Sequence, residues 1–315
     1  MSVNDSQKGS RDAARLLTIL GPTACGKTAL AVAVADRIDG EIISADSRQV
    51  YRGMDIGTGK DLEDYTIDGV QIPFHLIDVV EPGIEYNVFE YQKLAHRAIK
   101  DIEQREKIPI ICGGSGMYIE ALLKGYKLFP VPDNPALRAE LEQQSDEQLT
   151  ELLASFKALH NHTDTCERPR LLRAIEIETY YREHPELLET CQAVPSVIFG
   201  LRGDRDLIRS RITRRLRERL ENGMVEEVRA LIDKGVSQNQ LIRYGLEYKF
   251  LTLYIQGQID YDTMFKRLNV AIHQFSKRQM TWFRKMEREG FDIHWMDVEW
   301  SEEEKLSFIL RVCNQ

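Results

Sequence analysis

The sequence LLTILGPTACGKTALAVAVADRI, residues 16–38, decides the fold of this chain. It opens on a short apolar run, and near its end Leu30, Val34 and Ile38 recur at the spacing of one helix face. Between these parts, residues 21–28 fit the pattern G-x-x-x-x-G-K-[ST]. A strand, a phosphate-binding loop and a helix are therefore predicted in that order. The residues expected to bind a diphosphate or polyphosphate are Gly21, Pro22, Thr23, Ala24, Cys25, Gly26, Lys27 and Thr28.

The residue types of this loop suit an anion. Glycines let the backbone wrap closely, so that its N–H groups and the N-terminus of the following helix face a phosphate. Lys27 adds a positive charge, and the hydroxyl of Thr28 is expected to be able to ligate Mg²⁺. A chance glycine turn is the alternative, and the strand and helix on either side argue against it. The loop does not specify the reaction, although the guanine-reading pattern N-K-x-D of GTPases is absent from the sequence.

Further strands and helices alternate along the chain on either side of a proline-rich break. Residues 41–44, 74–80, 107–114 and 194–201 are predicted strands, and residues 88–105 a helix. This alternation is typical of a parallel sheet covered by helices on both faces. Further helices are expected at residues 204–222, 225–234, 241–256 and 261–289.

The predicted fold class is α/β: a P-loop NTPase-like parallel sheet flanked by helices, with an inserted all-helical subdomain. Pro130, Pro132 and Pro135 open a charge-rich helical stretch that marks the insertion. The domains expected are an α/β core at 16–129 and 194–315, a helical insertion at 130–193 and a disordered tail at 1–15.

Composition places the chain among ordinary folded proteins, with 43% apolar and 29% charged residues. The longest apolar run, residues 29–35, is too short to span a membrane, and the polar start does not resemble a secretory signal. We therefore expect no membrane partner and a cytoplasmic location. The five cysteines show no C-x-x-C spacing, which argues for reduced thiols over a zinc ribbon or a disulfide framework.

The net charge of −8 disfavours a polyanionic partner, but the charge is unevenly distributed. Residues 202–219 contain eight arginines against Asp204, Asp206 and Glu218. This stretch is a candidate phosphate-binding surface.

Two aspartates follow predicted strands and are candidates for chemistry. Asp46 comes after the strand at 41–44, at the same carboxyl edge as the phosphate loop, and is a candidate general base or a helix cap. Asp78 lies near the end of the strand at 74–80 and is a candidate Mg²⁺ ligand or a turn cap. The sequence leaves both choices open.

Five ordered motifs carry a resemblance to a known family. These are GPTACGKT, SADSRQVYRGMDIGTGK, FHLIDVVEP, CGGSGMYIEALLKG and KRQMTWFR, spread over residues 21–284. Together they closely resemble the tRNA dimethylallyltransferase (tRNA isopentenyltransferase) family. The resemblance implies transfer of the dimethylallyl group of dimethylallyl diphosphate to N6 of the adenosine 3′ of a tRNA anticodon, with release of pyrophosphate and with Mg²⁺ as cofactor.

The resemblance also implies roles for individual residues. Asp46 is the base that takes the N6 proton, Thr23 is a catalytic hydroxyl, and Arg215 stabilises the leaving pyrophosphate. Arg215 stands with Arg211 and Arg219 at helical spacing, for which a solvated basic face is the alternative reading. The residues implied in tRNA binding are Asp46, Ser47, Arg48, Gln49 and Ser115 at the flipped base, and Arg138, Arg170, Arg173 and Arg243 at the anticodon stem-loop.

Two departures from the family pattern stand out. Glu247 replaces a basic residue of a segment that contacts tRNA, and the zinc-finger extension of eukaryotic members is missing. A bacterial-type enzyme, acting as a monomer on one tRNA, is expected. The competing hypotheses are a small-metabolite kinase, in which Asp46 activates a hydroxyl, and a non-catalytic nucleotide-dependent RNA-binding module.

Two other stretches are interpreted without a catalytic role. His160 and His162 are read as part of a polar loop, because no third metal ligand stands at suitable spacing. Trp282 and Phe283 are read as core packing residues, although basic neighbours make a nucleic-acid surface the alternative.

Overall fold

The computed structural model describes residues 16–129, 131–157, 167–185 and 192–314. These fall into two compact units. We call the unit within residues 1–124 and 194–315 the core unit, and the unit within residues 125–193 the helical unit. The predicted tail, Pro130 and the two histidines of the predicted polar loop lie outside the described residues.

The core unit is built on a parallel sheet. The strands of the described residues are β1 (Leu17–Leu20), β2 (Gly40–Ala45), β3 (Thr66–Ile67), β4 (Val70–Gln71), β5 (Phe74–His75), β6 (Ile108–Gly113), β7 (Val197–Arg202) and β8 (Ile293–Asp297). Strands β3 and β4 form a separate antiparallel hairpin. The others form one sheet in the order β5-β2-β6-β1-β7-β8, in which all neighbours are parallel. The predicted α/β fold class is confirmed.

Helices cover both faces of this sheet. Those of the core unit are α1 (Lys27–Ile38), α2 (Val88–Gln104), α3 (Gly116–Lys124), α7 (Arg205–Glu221), α8 (Met224–Asp233), α9 (Gln238–Arg243), α10 (Leu246–Ile255), α11 (Tyr261–Arg288) and α12 (Glu302–Cys313). The helices described in the helical unit are α4 (Pro135–Leu141), α5 (Asp146–Phe156) and α6 (Arg168–Glu183). No helix in these ranges is both long and apolar enough to cross a membrane.

The apolar core follows from the two-residue period of the strands. In β1, Leu17 and Ile19 belong to one buried cluster, whereas Leu20 belongs to a second cluster. Helix α1 packs into the first cluster, and α2 and α3 into the second, so the two clusters lie on opposite faces of the sheet. The helical unit has its own small core, formed by Leu141, Leu149, Leu153, Leu171 and Ile175.

Helix α11 contributes to both clusters. Its Leu268 and Ile272 belong to the first cluster, while Phe283 and Met286 belong to the second. Since the two clusters lie on opposite faces, the middle of α11 passes the edge of the sheet. The packing interpretation of Phe283 agrees with its full burial.

The predicted strand at 74–80 is too long. The observed strand β5 ends at His75, because Leu76 and Asp78 adopt left-handed backbone conformations with φ of 63° and 55°. The predicted helix at 241–256 is two helices, α9 and α10, interrupted at Gly245 with φ of 141°. A continuous apolar pattern hides such local backbone reversals.

Strand β8 and helix α12 are absent from the predicted elements. Strand β8 pairs in parallel with β7, and α12 packs into the first cluster through Leu306 and Ile309. The sequence of β8, Ile-His-Trp-Met-Asp, is a weak strand pattern because it mixes polar and aromatic residues.

Candidate active site

Three strand ends bring the predicted site residues to one edge of the sheet. The last residues of β1, β6 and β2 are in register, with Leu20 opposite Gly113 and Gly113 opposite Ala45. The phosphate loop, the Gly114–Ser115 turn and Asp46 therefore start at the same level. Hydrogen bonds tie two of these segments together, since Ser115 N–H donates to Ala45 O at 3.1 Å and Ser47 N–H donates to Ser115 Oγ at 3.1 Å.

A cavity of about 150 Å³ opens at this edge. The predicted site residues that line it are Thr23, Ala24, Gly26, Lys27, Thr28, Asp46, Arg48, Gln49 and Arg215. Gly21, Pro22 and Cys25 complete the phosphate loop, and Ser47 and Ser115 adjoin it through the bonds described above. The structure thus brings the predicted diphosphate residues and the candidate base to one place.

The phosphate loop is shaped to present backbone N–H groups. Ala24 has φ of 63° and Gly26 has φ of 83°, both in the left-handed region. Such conformations are costly outside glycine and concentrate in ligand-binding loops. Gly26 is the N-cap of α1, so the N-terminal end of that helix points at the cavity. Lys27 Nζ donates to Pro22 O at 2.6 Å and lies folded against the loop.

Arg215 joins the long basic helix α7 to the phosphate loop. Its Nη2 donates a hydrogen bond to Thr23 Oγ1. Burial, reinforced by the positive charge of Arg219, lowers the pKa of Arg215 to about 10, so the guanidinium stays charged at neutral pH. Within the described ranges Arg215 forms no ion pair with a carboxylate, and a desolvated cation of this kind favours an anionic ligand.

Arg219, one turn further along α7, is partnered internally. Its Nη2 donates to Asp61 Oδ2 at 2.9 Å, and its guanidinium lies against the backbone of Gly59. The side chain is 13% exposed, so the expectation of a solvated face does not hold for it. Arg211 does not line the cavity.

Gln279 is a site residue without a predicted role. It lies on α11 where that helix passes the sheet edge, and its Oε1 accepts a hydrogen bond from Thr23 N–H at 2.8 Å. Its Nε2 donates to Gly114 O at 2.9 Å. Gln279 therefore clamps the phosphate loop to the turn after β6. Its place in the KRQMTWFR motif is the sequence signal that marks it.

The segment after β2 is held by paired charges. Arg48 N–H donates to Asp46 Oδ1 at 3.0 Å, and Arg48 Nη1 donates to Glu247 Oε2 at 2.7 Å. The guanidinium also lies 5.3 Å from the centre of the Phe275 ring. Glu247 is therefore an internal partner of Arg48.

Glu227 fixes the next part of this segment. Its carboxylate accepts hydrogen bonds from the backbone N–H groups of Asp55, Ile56 and Gly57 at 2.8, 2.6 and 3.0 Å. The hydroxyl of Tyr248 donates to the same carboxylate at 2.7 Å. Burial and the neighbouring Glu227 charge raise the pKa of Tyr248 well above its usual value. The tyrosine therefore stays protonated and remains a donor.

Asp78 takes part in an ion pair with a buried lysine. Its Oδ1 accepts a hydrogen bond from Nζ of Lys60, which is fully buried and also donates to Asp55 Oδ1 and Tyr51 O at 2.6 and 2.7 Å. Asp78 does not line the cavity. This ion pair corresponds to neither of the two predicted roles of Asp78.

The residues present fit a Mg²⁺ ion only together with a phosphate ligand. Thr28 presents a hydroxyl at the cavity, and this hydroxyl has no hydrogen-bond partner among the described residues. The described part of the chain contains no cluster of three or more His, Cys, Asp or Glu residues arranged for a metal. Mg²⁺ commonly takes few protein ligands and completes its shell with phosphate oxygens and water, so a single hydroxyl is compatible with it.

The predicted stem-loop arginines have different surroundings. In the helical unit, Arg138 and Arg173 both bond to the buried carboxylate of Glu176, at 2.6 and 3.2 Å, and Arg170 pairs with Glu167 at 3.3 Å. In the core unit, Arg243 is exposed at the end of α9. All four guanidinium groups remain partly or largely open to solvent.

The chain matches one family model over most of its length. The model described as IPP transferase matches residues 49–286. The tRNA dimethylallyltransferase 1 of Parabacteroides distasonis is 56% identical over 299 residues, which cover 95% of this chain and 97% of that protein.

Solved structures show the same architecture. The tRNA isopentenylpyrophosphate transferase of Bacillus halodurans is 30% identical, with a TM-score of 0.69 and 95% of each chain covered. A eukaryotic dimethylallyltransferase acting on tRNA is 22% identical, covers 90% of this chain and 73% of its own, and has a TM-score of 0.73. At that identity the second likeness concerns the fold alone.

Proposed function

The chain belongs to the IPP transferase family, and from that premise we propose that it prenylates tRNA. The reaction moves the dimethylallyl group of dimethylallyl diphosphate to N6 of the adenosine 3′ of the anticodon and releases pyrophosphate. One observation carries the assignment to this cavity: a partly buried Arg215, with no carboxylate partner among the described residues, bonds to the phosphate loop at Thr23 in a cavity that Asp46 also lines.

The phosphate loop and Arg215 hold the leaving group. As the bond between the allylic carbon and the diphosphate breaks, negative charge grows on the pyrophosphate. The loop N–H groups, Lys27 and Arg215 are preorganised to stabilise that charge. Because Arg215 donates to Thr23 Oγ1, the Thr23 hydroxyl keeps its own proton to donate to a diphosphate oxygen. Gln279 fixes the backbone of Thr23 for that contact.

Asp46 is the proposed general base. The adenine N6 becomes more acidic as it attacks the allylic carbon, and a carboxylate within hydrogen-bond reach can accept its proton. The carboxylate of Asp46 is oriented by the Arg48 backbone N–H. Ser47, Arg48, Gln49 and Ser115 are proposed to contact the flipped base, since they adjoin Asp46 along the chain or by a hydrogen bond.

Mg²⁺ is the proposed cofactor, held by the hydroxyl of Thr28 and the substrate phosphates. When bound, it neutralises part of the diphosphate charge. The arrangement of Thr28 at the first turn of α1 supports this placement.

The proposed tRNA contacts extend to both units. Arg138, Arg170 and Arg173 of the helical unit and Arg243 of the core unit are proposed to bind phosphates of the anticodon stem-loop. Such contacts would provide affinity despite the net charge of −8. We further propose that one chain acts on one tRNA and that the reaction takes place in the cytoplasm.

The test is a transfer assay with purified protein, Mg²⁺, unmodified tRNA with adenosine 3′ of its anticodon, and radiolabelled dimethylallyl diphosphate. We expect label in the RNA without ATP, and no inhibition by ATP at comparable concentration. Absence of label over several such tRNAs, together with phosphate release from ATP, would contradict the proposal and favour the kinase. If the protein binds tRNA but transfers no label to it, the non-catalytic RNA-binding module would be favoured.

A further inference from the structure

Glu247 is a buried carboxylate at the cavity with no part in the chemistry described so far. It lies in the first turn of α10, and its side chain is 9% exposed. Burying a carboxylate is costly unless it is paired. The pair with Arg48 Nη1 at 2.7 Å meets that cost, but it also determines where the guanidinium of Arg48 can go.

Arg48 is confined on several sides. Gly245 leaves room for it, since a Cβ at that position would lie 2.9 Å from Arg48 Cδ. The ring of Phe275 lies on the guanidinium, and Glu247 binds its tip. Although burial acts to lower the pKa of Arg48, the attraction of Glu247 and Asp46 raises it above its usual value. Arg48 is therefore a fixed, permanently charged neighbour of Asp46.

The contacts of Asp46 are one-sided. Its Oδ1 accepts the backbone N–H of Arg48 at 3.0 Å and lies 3.6 Å from Arg48 Nε. Within the described ranges, Oδ2 has no hydrogen-bond or ion-pair partner. A guanidinium next to a carboxylate prefers to bind both oxygens at once. Something must therefore keep Arg48 from closing over Asp46, and Glu247 is the group that competes for it.

We propose that Glu247 is a positioning residue for the general base. By holding the guanidinium of Arg48 at its own carboxylate, it prevents a two-point ion pair with Asp46 and leaves Asp46 Oδ2 free to accept the N6 proton. The inference rests on the proposed function, in which Asp46 is the base.

The kinetic test compares the unaltered chain with Glu247→Gln and Glu247→Asp. In Glu247→Gln we expect kcat to fall by about 10- to 100-fold, the range for a reacting group displaced by roughly an ångström. The KM values for tRNA and dimethylallyl diphosphate should stay nearly unchanged, and Glu247→Asp should retain most of kcat. In an Arg48→Met background, Glu247→Gln should cost little further, because no guanidinium remains to close over Asp46. Thermal unfolding of each variant shows whether it is folded.

The structural test is a crystal structure of Glu247→Gln beside that of the unaltered chain. We expect the Arg48 guanidinium within hydrogen-bond distance of both Asp46 oxygens in the variant only. A guanidinium that does not move, an unchanged kcat, or a raised KM for tRNA at constant kcat would overturn the inference while leaving the proposed function intact. No transfer by the unaltered chain would overturn the proposed function, and this inference with it.

Discussion

The two halves of the cavity arrange their charges differently. The phosphate half consists of residues 21–28 and Arg215. Its cations line the cavity, and none of them has a carboxylate partner in the described chain. The acceptor half consists of residues 46–60 and Glu247. Its cations Arg48 and Lys60 are paired with carboxylates. The unpaired charges are those available to a charged substrate, and the paired ones hold the shape of the segment. Among the cations, this difference separates Lys27 and Arg215, expected to affect chemistry, from Lys60, expected to affect stability.

Replacing the proposed base should have the largest effect on chemistry. Asp46→Asn keeps the shape of the side chain but removes its ability to accept a proton, so single-turnover transfer should fall by about 10³-fold. Binding of tRNA, measured by filter retention, should be nearly unchanged. Asp64→Asn is the matched control, an exposed carboxylate of the same cavity, and should lose little activity. Equal losses of transfer and tRNA binding in Asp46→Asn would count against its role as base.

Arg215 and Arg219 test the comparison within one helix. Arg215→Gln removes an unpaired cation that contacts Thr23, and kcat should fall by about 10²-fold, the effect of losing one transition-state donor. Arg219→Gln removes a cation already neutralised by Asp61, so its kcat should fall much less. Steady-state kinetics with dimethylallyl diphosphate measure kcat of both variants for this comparison. A larger loss in Arg219→Gln would break the distinction between paired and unpaired charges.

Lys60 should affect stability more than chemistry. Lys60→Met leaves Asp55 and Asp78 without their shared cation, which should lower the free energy of unfolding by about 2–3 kcal/mol, below the full cost for a completely buried pair because both carboxylates are partly exposed. Arg52→Met breaks an exposed pair with Glu81 and should cost less than about 1 kcal/mol. Urea unfolding measures both. Equal losses in the two variants would show that burial of Lys60 contributes nothing.

Cys112, between the two halves at the end of β6, should be the least responsive group. Burial raises the pKa of its thiol to about 12, so the reactive thiolate is scarce at pH 7.5 and its fraction grows only as the pH approaches that value. After treatment with iodoacetamide at pH 7.5, peptide mass mapping should find Cys112 unlabelled. Rapid labelling at this pH would mean that the cavity is more open to solvent at this strand end than the structure indicates. Among the described residues, Cys25, Cys112 and Cys313 form no disulfide, and Cys166 and Cys191 lie outside those residues.

The phosphate half was predictable from sequence because its function depends on neighbours in the chain. Residues 21–28 form one motif, and α1 follows it as predicted and contains Leu30, Val34 and Ile38. The partners of the acceptor half come from distant segments: Glu227 and Glu247 reach residues 46–60 only through the fold, and Gln279 reaches Thr23 from α11. No periodicity or local spacing in the sequence encodes those pairings.

The same reason explains the errors in the predicted elements. The pattern of residues 74–80 is apolar enough for a strand, but the left-handed residues Leu76 and Asp78 end β5 early and turn the chain toward Lys60. Likewise, Gly245 breaks the predicted helix at 241–256 where its backbone meets Arg48. In both places a contact with a distant segment overrides the local pattern.

The most direct test is a crystal structure of the protein with Mg²⁺, an unreactive thio analogue of dimethylallyl diphosphate and an anticodon stem-loop. We expect the diphosphate on residues 21–28 with Arg215 bound to it, the adenine N6 facing Asp46 Oδ2, and the Arg48–Glu247 and Lys60–Asp78 pairs intact. A diphosphate bound elsewhere, or an N6 amine out of reach of Asp46 while Arg48 has left Glu247 for the substrate, would contradict both Asp46 as the base and the Arg48–Glu247 pair as a fixed part of the site.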